Sequence, residues 1–506
     1  MSENGANIQR YDVAIVGAGP VGATLAALLG QAGVSCFLGE RSAAVYPLPR
    51  AAHFDHEVMR VFQQLDIVDA VLAAVTPARR YVFQNAAGEI LIAFDQDQPG
   101  VSGWHGYMIH QPGIERALRD RISRDPNVTF RTGVEFVGQS EGEDRAITSR
   151  WAAEDGDVLV RSRFLIGCDG AWSPVRETIG GGIDDLGFDE PWLVLDLEVE
   201  EENNLPDHNI QYCDPDRPTT YCVMGNRRRR FEFMLRDGET PDQAMQDEAI
   251  RAMLAKWDMT GLIAVERKAV YRFHALVAER WREGSILLAG DAAHQMPPFA
   301  GQGMCSGIRD SVAIAWRIAL ILDGADPALL DGYQVEREPH VRTIIASAIA
   351  TGRVVCTVDP AMARARDEQM LAARAAGLPP PDIRSPHLTV AFGLPDSAGA
   401  GTLFPQPIAQ DNGQTVRLDD VLGLGAWLIT RGEAVATGGL PLRVVGVTDP
   451  VLAPFRSRLE AWLDSVGAPA VLVRADRYVF GTGDVSTLIA AFADQARLEP
   501  ALSKTN

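Results

Sequence analysis

The pattern of apolar and polar positions at the beginning of the chain predicts alternating strands and helices. Residues 11–16 (YDVAIV) form a short apolar run, and the glycine-rich turn GAGPVG follows at residues 17–22. Residues 23–30 have the composition of a helix, and a second apolar run at residues 34–38 ends at Glu40. A strand, a turn, a helix and a second strand in this order are typical of a parallel sheet covered by helices.

The middle of the chain changes to strand patterns with polar turns. We predict a hairpin over residues 81–94, a short strand stopped by Pro112 with a helix after it, and a meander of strands at 128–132, 134–140 and 147–152. Beyond the glycines at 180–182 we predict strands at 192–199, 209–213, 219–223 and 230–235, a helix at 254–262 and a strand at 269–275. Such closely spaced strands predict a second, antiparallel domain.

The last third of the chain predicts helices and then a compact α/β unit. Residues 346–376 read as mostly helical with a break at Asp359 and Pro360, and the proline-rich stretch at 378–386 reads as a linker. The unit that follows has predicted strands at 426–429, 442–447, 470–473 and 478–481 and predicted helices at 456–465 and 485–493. It carries no reactive constellation, so we expect a structural or oligomerisation role.

Composition narrows the function classes. The 506 residues carry a formal net charge of -20, which argues against nucleic acid or an anionic membrane surface as partner. No apolar run is as long as a membrane span and the first ten residues are too polar for a signal peptide, so we expect a cytoplasmic protein. The six cysteines form no CxxC pair, which predicts reduced thiols and no metal site.

The turn at residues 17–22 has the spacing of a dinucleotide-binding fingerprint. Gly17 permits the tight turn, Gly19 lets the backbone approach a pyrophosphate, and Gly22 lets the helix pack closely on the strand. Glu40 stands at the end of the second strand, where a carboxylate accepts hydrogen bonds from an adenosine ribose. An acid at this position suits a nucleotide without a 2'-phosphate.

A second candidate site lies in residues 285–310. The apolar run at 286–289 predicts a buried strand, and Asp291 follows just past its carboxyl end, where it could hold a ligand hydroxyl. Prolines and glycines between 297 and 303 exclude regular structure, and the apolar spacing after them predicts a helix that begins near Met304. The first amides of that helix would face the ligand above Asp291.

Three further stretches have two interpretations each. The Asp169-Gly170 pair after the predicted strand at 164–167 is either a simple turn or a counterpart of Gly290-Asp291. A loop before a helix contains four closely spaced polar residues, Arg50, His53, Asp55 and His56. They form either a helix cap and a solvated turn or part of an active site. The basic run at 227–230 favours a solvated hairpin turn, and the alternative is a landing site for an anionic substrate or a nucleotide phosphate.

Taken together, GAGPVG with Glu40, CDG at 168–170 and GDAAHQMPP with GQGMCSG at 290–307 resemble the class A flavin-dependent aromatic hydroxylases. The likeness covers the first two-thirds of the chain, and short stretches are most similar to 3-(3-hydroxyphenyl)propionate hydroxylases. It implies an α/β fold: a Rossmann-like FAD-binding domain, an inserted β-rich substrate domain and a C-terminal thioredoxin-like domain. The expected boundaries are 1–185 and 270–390 for the FAD-binding domain, 186–269 for the substrate domain and 391–506 for the thioredoxin-like domain.

The resemblance also implies which residues bind FAD. Those around the pyrophosphate, ribose and ribityl chain are Gly17, Gly19, Pro20, Gly22, Glu40, Arg41, Arg50, Gln111, Asp169, Gly290 and Asp291. Those at the flavin ring are Pro298, Gly301, Gly303 and Met304. Many relatives carry Asn where this chain has Cys305, so we expect backbone amides to bind the flavin there and Cys305 to be a buried thiol.

The implied reaction is hydroxylation of a phenol. NADH or NADPH reduces FAD, O2 adds to give a flavin C4a-hydroperoxide, and its distal oxygen attacks the aromatic ring. We expect a single-ring phenol such as a 3-(3-hydroxyphenyl)propionate-like compound in aromatic catabolism; a polycyclic polyketide substrate and a non-catalytic redox sensor are the alternatives. Candidates for removing the phenolic proton are His53, Asp55 and Tyr271, with His274 behind them, whereas His294 is expected to be structural. A homodimer is left open.

Overall fold

The computed structural model describes residues 8–498 apart from 48–49, 97–98, 100–102, 226, 382–384 and 412. The polar N-terminal residues 1–7 and part of the predicted linker, residues 382–384, lie outside the described residues. The elements up to residue 179 are β1 (Gln9–Val16), α1 (Pro20–Gln31), β2 (Cys36–Glu40), β3 (His53–Asp55), α2 (His56–Gln64), α3 (Val68–Leu72), β4 (Val75–Pro77), β5 (Arg80–Asn85), β6 (Ile90–Asp95), β7 (Gly106–Ile109), α4 (Gln111–Ser123), β8 (Val128–Thr132), β9 (Val134–Glu141), β10 (Ile147–Ala153), β11 (Val158–Gly167) and α5 (Pro174–Ile179).

The remaining elements follow in the same order along the chain. They are β12 (Ile183–Val199), β13 (Asn209–Cys213), β14 (Thr219–Met224), β15 (Arg228–Met234), α6 (Pro241–Ala244), α7 (Asp247–Leu254), β16 (Leu262–Ala278), β17 (Arg282–Glu283), β18 (Ile286–Leu288), β19 (His294–Gln295), α8 (Gly303–Leu322), α9 (Asp331–Val355), α10 (Pro360–Ala375), β20 (Ile408–Asp411), β21 (Gln414–Arg417), α11 (Leu418–Leu422), β22 (Ala426–Thr430), β23 (Leu442–Gly446), α12 (Arg456–Ser465), β24 (Ala470–Val473), β25 (Val479–Thr482) and α13 (Val485–Ala496).

A mostly parallel sheet carries the predicted nucleotide site. Its strand order is β17-β18-β11-β1-β2-β8, and β9 and β10 extend β11 on an antiparallel branch. Val13, Ala14 and Ile15 of the central strand are fully buried, as expected for a strand covered on both faces. The predicted meander is wrong in one respect: β8 pairs in parallel with β2 and not with β9. The carboxyl ends of β1, β11 and β18 therefore meet at one edge.

The second sheet is antiparallel over most of its width and joins the two domains. Its order is β19-β16-β12-β15-β14-β13-β5-β6, so it includes the hairpin at residues 80–95 from the first part of the chain. One face, with Leu195 and Phe231, packs on a small core that includes Ile250 of α7. On the opposite face Trp192 packs against Phe299, with ring centroids 5.5 Å apart. That second face looks towards the predicted flavin-binding loop.

Two predictions about this domain are wrong. The helix predicted at residues 254–262 lies earlier, at Asp247–Leu254, because the chain turns at Gly261 (φ +85°) and enters β16. The basic run at 227–230 is not a solvated turn, because only Arg227 has a turn conformation and the next three arginines belong to β15. Because successive side chains of a strand point to opposite faces of the sheet, Arg230 points into the interior and is only 2% exposed.

The C-terminal unit has its own sheet and core. The sheet order is β23-β22-β24-β25, in which β22 and β23 are parallel and the other pairs antiparallel. Buried Trp427, Ile429, Val445 and Phe455 form its centre. The predicted strands and helices of this unit are confirmed within two or three residues at their ends.

Among the described helices, no single one is both long enough and apolar enough to cross a bilayer. One pair of helical segments, residues 327–355 and 360–375, reaches the necessary length and hydropathy when taken together, and the two segments bend by 112° at their junction. Within the described ranges, no group of three or more His, Cys, Asp or Glu side chains has the arrangement of a metal site.

Candidate functional site: a nucleotide cradle beside a polar sheet face

The glycine turn between β1 and α1 is tightly packed at Gly17 and Gly22 and open at Gly19. Gly17 has a φ of +95°, and a Cβ there would lie 2.6 Å from the carbonyl oxygen of Cys168. A Cβ on Gly22 would lie 1.9 Å from the carbonyl oxygen of Gly17. Gly19, by contrast, has open space around its Cβ position, and no side chain caps the helix that begins at Pro20. The free amides at this helix start suit a phosphate.

Glu40, at the end of β2, contacts the backbone of the same glycine turn. Its carboxylate accepts a hydrogen bond from the amide of Ala18 at 2.8 Å and one from the amide of Ser42 at 2.8 Å. These contacts fix both oxygens and leave further lone pairs for ribose hydroxyls. The neighbouring Arg41 is exposed.

The Asp169 motif lies directly behind the glycine turn. A Cβ on Gly17 would lie 3.1 Å from the Cα of Asp169, so the two motifs are in contact. One carboxylate oxygen of Asp169 accepts the amide of Val175 at 3.0 Å, and the other is buried with no partner among the described residues. Burial raises the pKa of Asp169, although hydrogen bonds from Ser173 and Val175 oppose the shift.

The third motif, Gly290-Asp291, contacts α1 on the other side of the cleft. Gly290 has a φ of +63°, and a Cβ there would lie 3.0 Å from Cγ2 of Val21. The next residue, Asp291, points to solvent in the cleft. Surrounding protein raises the pKa of Asp291 by desolvation, and the charges of His294 and Arg50 oppose this rise. The three motifs that are separated in sequence therefore share one cleft.

The loop from Pro298 to α8 ends with open backbone amides. Residues 298–300 form one 3-10 turn, and Gly301 follows in the left-handed region with a φ of +61°. Helix α8 begins at Gly303, close to the predicted start, and no side chain caps it. Cys305 is fully buried, as predicted, and its Sγ lies 3.7 Å from the carbonyl oxygen of Gly301. The half-buried Met304 completes this first turn.

Gln111 positions the loop that carries Arg50. Its side-chain oxygen accepts the backbone amides of Arg50 at 3.0 Å and Ala51 at 2.6 Å, and its nitrogen donates to Glu115 at 2.7 Å. Gln111 is only 4% exposed, so its contacts are mainly with protein. The Arg50 side chain is exposed, with its guanidinium 5.6 Å from the ring centroid of Tyr46, and its charge reaches Asp291.

His53 lies between two backbone segments of the cleft. Its Nδ1 is 3.3 Å from the carbonyl oxygen of Gly301, and a Cβ on Gly106 would lie 2.3 Å from its Nε2. Burial lowers the pKa of His53, and the nearby carboxylate of Asp55 offsets only part of this effect. The imidazole is therefore neutral near pH 7 and able to accept a proton.

Asp55 is engaged in structure. Its carboxylate caps α2 by accepting the amide of Val58 at 3.2 Å and forms an ion pair with Arg309. Burial alone would raise the pKa of Asp55, but the charge of Arg309, helped by His56 and His53, lowers it to about 2. The capping role predicted for Asp55 in the loop at 50–56 is therefore confirmed, and the active-site role of His53 stays a prediction.

The polar face of the second sheet carries a buried ionic cluster. Arg230 donates to Asp196 from Nε at 2.7 Å, and Arg267 donates to the same carboxylate at 3.2 Å. The hydroxyl of Tyr271 accepts a hydrogen bond from Arg267. Glu232 lies 3.7 Å from Arg230, which completes what we call the sheet cluster: Asp196, Arg230, Glu232, Arg267 and Tyr271.

The sheet cluster is joined to the cleft, whereas the two remaining candidate histidines lie elsewhere. Arg230 also donates to the backbone carbonyl of Arg50 at 2.9 Å, so the cluster connects to the loop that holds His53. His274 lies 3.6 Å from Asp189 and is partly exposed. His294 is buried and pairs with Asp310 at 2.7 Å, in agreement with the structural role expected for it.

Comparison with known proteins agrees with this geometry. The sequence model of the family described as "FAD binding domain" matches residues 10–348. A protein of Rhodococcus jostii (strain RHA1) named "Probable NADH-specific resorcinol 4-hydroxylase" is 38% identical, and the alignment covers 97% of this chain and 95% of that protein. The chain belongs to the FAD-dependent aromatic hydroxylases.

A further relative and two solved structures are similar to almost the whole chain at lower sequence identity. A "3-(3-hydroxy-phenyl)propionate/3-hydroxycinnamic acid hydroxylase" of Mycobacterium sp. (strain JLS) is 33% identical over 93% of this chain and 89% of its own length. The flavin-dependent monooxygenase PieE, solved in complex with FAD and substrate, superposes with a TM-score of 0.81 at 22% identity and covers 98% of this chain and all of that one. Aklavinone-11 hydroxylase, solved with FAD and aklavinone, gives a TM-score of 0.77 at 23% identity with the same coverage. The two solved structures establish the fold.

The cleft fits FAD. The open space at Gly19 and the uncapped start of α1 would accommodate its pyrophosphate, Glu40 would bind its ribose, and the exposed Asp291 would bind its ribityl hydroxyls. The uncapped start of α8 would offer amides to the flavin ring. The chain is an enzyme of the flavin monooxygenase type.

Sequence reasoning missed the charged partners of this site. Asp196, Arg267 and Arg309 were not singled out, and Arg230 was assigned to a turn. The signal for Arg230 and Glu232 was present in RRFEFM, because the two charges alternate with Phe231 and Phe233. No sequence signal identifies Arg309, because its carboxylate partners Glu57 and Asp55 are 252 and 254 residues away along the chain.

Proposed function

We propose that this enzyme hydroxylates a neutral single-ring phenol with NADH and O2. Bound FAD supplies the redox chemistry, because it accepts a hydride and passes the electrons to O2. The chain itself binds FAD at the three motifs, orients the phenol against the polar sheet face and excludes water. The resorcinol-hydroxylase relative, 38% identical over 97% of this chain, supports both the substrate class and NADH.

The sheet cluster carries the argument for a neutral substrate. Its two arginines face two carboxylates, and Asp196 accepts hydrogen bonds from both Arg230 and Arg267. A phenol with a carboxylate side chain would have to compete with Asp196 for these buried guanidiniums. A hydroxyl group, as in a dihydroxybenzene, can share the cluster's polar atoms without disturbing its charge balance.

His53 is the proposed acceptor of the phenolic proton. Its lowered pKa keeps the imidazole neutral, and its place beside Gly301 puts it next to the loop proposed for the flavin ring. Asp55 is proposed to act through this histidine, because Arg309 holds its carboxylate and depresses its basicity. Tyr271 is proposed to contact the ring substrate from the sheet, where Arg267 fixes its hydroxyl.

A matched substrate panel tests the proposal. The purified protein, loaded with FAD, would be supplied with NADH and either resorcinol, 3-(3-hydroxyphenyl)propionate or a polycyclic polyketide phenol. We expect resorcinol to give the highest kcat/KM for NADH oxidation and a product that is heavier by one oxygen atom. A higher kcat/KM with the carboxylated phenol would contradict the neutral-substrate proposal, and stimulation only by the polyketide would contradict the single-ring assignment.

A further inference from the structure

Arg309 in the second turn of α8 binds four side chains from three other stretches of the chain. Its Nε donates to Glu57 at 2.6 Å, its Nη1 donates to Gln302 at 3.0 Å, and its Nη2 donates to Asp55 and to Ser385. The residue is 5% exposed. One guanidinium therefore links Asp55 at the end of β3 to Gln302, which precedes α8. His53 lies between these two parts of the chain.

The C-terminal unit reaches this guanidinium through Tyr478. The tyrosine hydroxyl donates to Oε1 of Glu57 at 2.9 Å, while Arg309 binds the other oxygen of the same carboxylate. Tyr478 is 5% exposed and begins the approach to β25. Two residues earlier, Asp476 pairs with Arg474, which also binds Glu336 of α9. The tyrosine is thus anchored on both sides of the domain boundary.

A small cavity with a mixed lining adjoins this contact. Its volume is about 20 Å³, and Val312, Ala313 and Leu388 line it together with the polar residues Glu57, Arg309, Arg337, Asp476 and Tyr478. Such a space has room for about one water molecule. Because the space is too small for bulk water, the charged groups form their hydrogen bonds with one another. The loss of one donor therefore changes the hydrogen bonds of the remaining groups.

We propose that Tyr478 is a positioning residue of the flavin site, which makes the C-terminal unit part of the active-site scaffold. Tyr478 holds Glu57, Glu57 holds Arg309, and Arg309 sets the positions of Asp55 and Gln302. Without the tyrosine hydroxyl, Glu57 keeps Arg309 as its charged donor and draws it away from Gln302. The start of α8, where the flavin ring is proposed to bind, then loses its fixed position. The catalytic part of this inference rests on the proposed function, and the FAD-binding part does not.

The test is the affinity of the full-length protein for FAD. In Tyr478→Phe we expect the Kd for FAD to rise about three- to tenfold, which is the size of the net contribution of one ordinary hydrogen bond, because the tyrosine acts on the flavin site only through Glu57 and Arg309. The matched control is Tyr221→Phe, which removes a buried hydroxyl that donates to the carbonyl of Pro206 on the other face of the sheet. We expect its Kd to equal that of the wild type. Equal Kd values for Tyr478→Phe and the wild type, or an equal loss in both variants, would overturn the inference.

A double-mutant cycle separates positioning from general stability. If Tyr478 acts through Arg309 on Gln302, then Tyr478→Phe changes the Kd for FAD less in a Gln302→Ala background than in the wild type. Additive effects would contradict the pathway. Ser385→Ala removes the exposed linker contact to Arg309 and gives a second variant should Tyr478→Phe not fold; a change of Kd in the same direction is expected, and no change would count against the inference. If no phenol is hydroxylated but these Kd shifts occur, the proposed function fails and the scaffold inference stands.

Discussion

The Nδ1 atom of His53 lies 3.3 Å from the carbonyl oxygen of Gly301 and so connects β3 to the loop that precedes α8. This contact brings a titratable group to the loop whose glycines and open amides form one side of the cleft proposed for FAD. Because burial lowers its pKa, the imidazole stays neutral across the pH range in which a phenol needs a proton acceptor.

The first prediction concerns the pH dependence of activity. The base form of His53 is lost only as the pH falls through a pKa below 6.5, so the acid limb of kcat/KM should lie below pH 6.5. His53→Gln should lower kcat about 10²- to 10⁴-fold, the usual contribution of a general base, and remove this limb. The measurement is a pH profile of both proteins with the preferred phenol. An unchanged acid limb in the variant would assign the proton to another group.

The second prediction separates structural and catalytic roles of Asp55. Its pKa of about 2 lies below the ordinary value of 3.8, so the ion pair stabilises the fold above pH 3.8 and this contribution is lost as the pH falls towards 2. The shift corresponds to about 2 kcal/mol. Asp55→Asn should therefore lower the free energy of unfolding by about 2 kcal/mol at pH 7, as measured by urea denaturation. Unchanged stability with abolished turnover would instead make Asp55 the base.

The third prediction contrasts two glycines of the same turn. Gly19→Ala places a methyl group in open space at a φ of -68°, so the fold should be unaffected while FAD affinity falls about tenfold or more, because the methyl group occupies the ligand's approach. Gly22→Ala places its methyl 1.9 Å from the carbonyl of Gly17, so it should destabilise the protein itself. Thermal melts without FAD and FAD titration distinguish the two effects. A destabilised Gly19→Ala protein with normal FAD affinity would refute the assignment.

The fourth prediction addresses substrate charge. Glu232 is 6% exposed beside Arg230, and its replacement by Gln leaves the sheet cluster with one more positive charge than negative charges. At pH 8, Glu232→Gln should therefore raise kcat/KM for 3-(3-hydroxyphenyl)propionate relative to resorcinol about three- to tenfold. Glu266→Gln is the control, because Glu266 pairs with Arg228 in a more exposed part of the sheet. An equal change in both variants would show that long-range charge and not the cluster sets the preference.

Sequence alone predicted those parts of the site that depend on local chain geometry. Gly17, Gly19, Gly22 and Glu40 could be assigned because a phosphate-binding turn needs particular residues at fixed spacing. The C-terminal elements could be located because their apolar periods are regular. Their attachment to the FAD-binding domain could not, because a contact such as that of Tyr478 with Glu57 joins residues more than 400 positions apart.

The misassigned segments also have physical causes. A run of arginines is usually solvated, and only the partner strand shows that Arg230 is neutralised by Asp196. The helix at residues 254–262 was predicted from its apolar positions. Two of these residues, Trp257 and Met259, do pack against the core, but they lie in a turn and not in a helix. In both cases the decisive information was a contact between segments and not a local preference.

The central claim is that this chain couples NADH oxidation to oxygen transfer onto a phenol. The most direct measurement supplies the FAD-loaded enzyme with NADH, resorcinol and ¹⁸O2 and analyses the product by mass spectrometry. We expect phenol-dependent NADH consumption and a product that carries one ¹⁸O atom. NADH consumption without labelled product, or a rate that does not respond to any phenol, would contradict it.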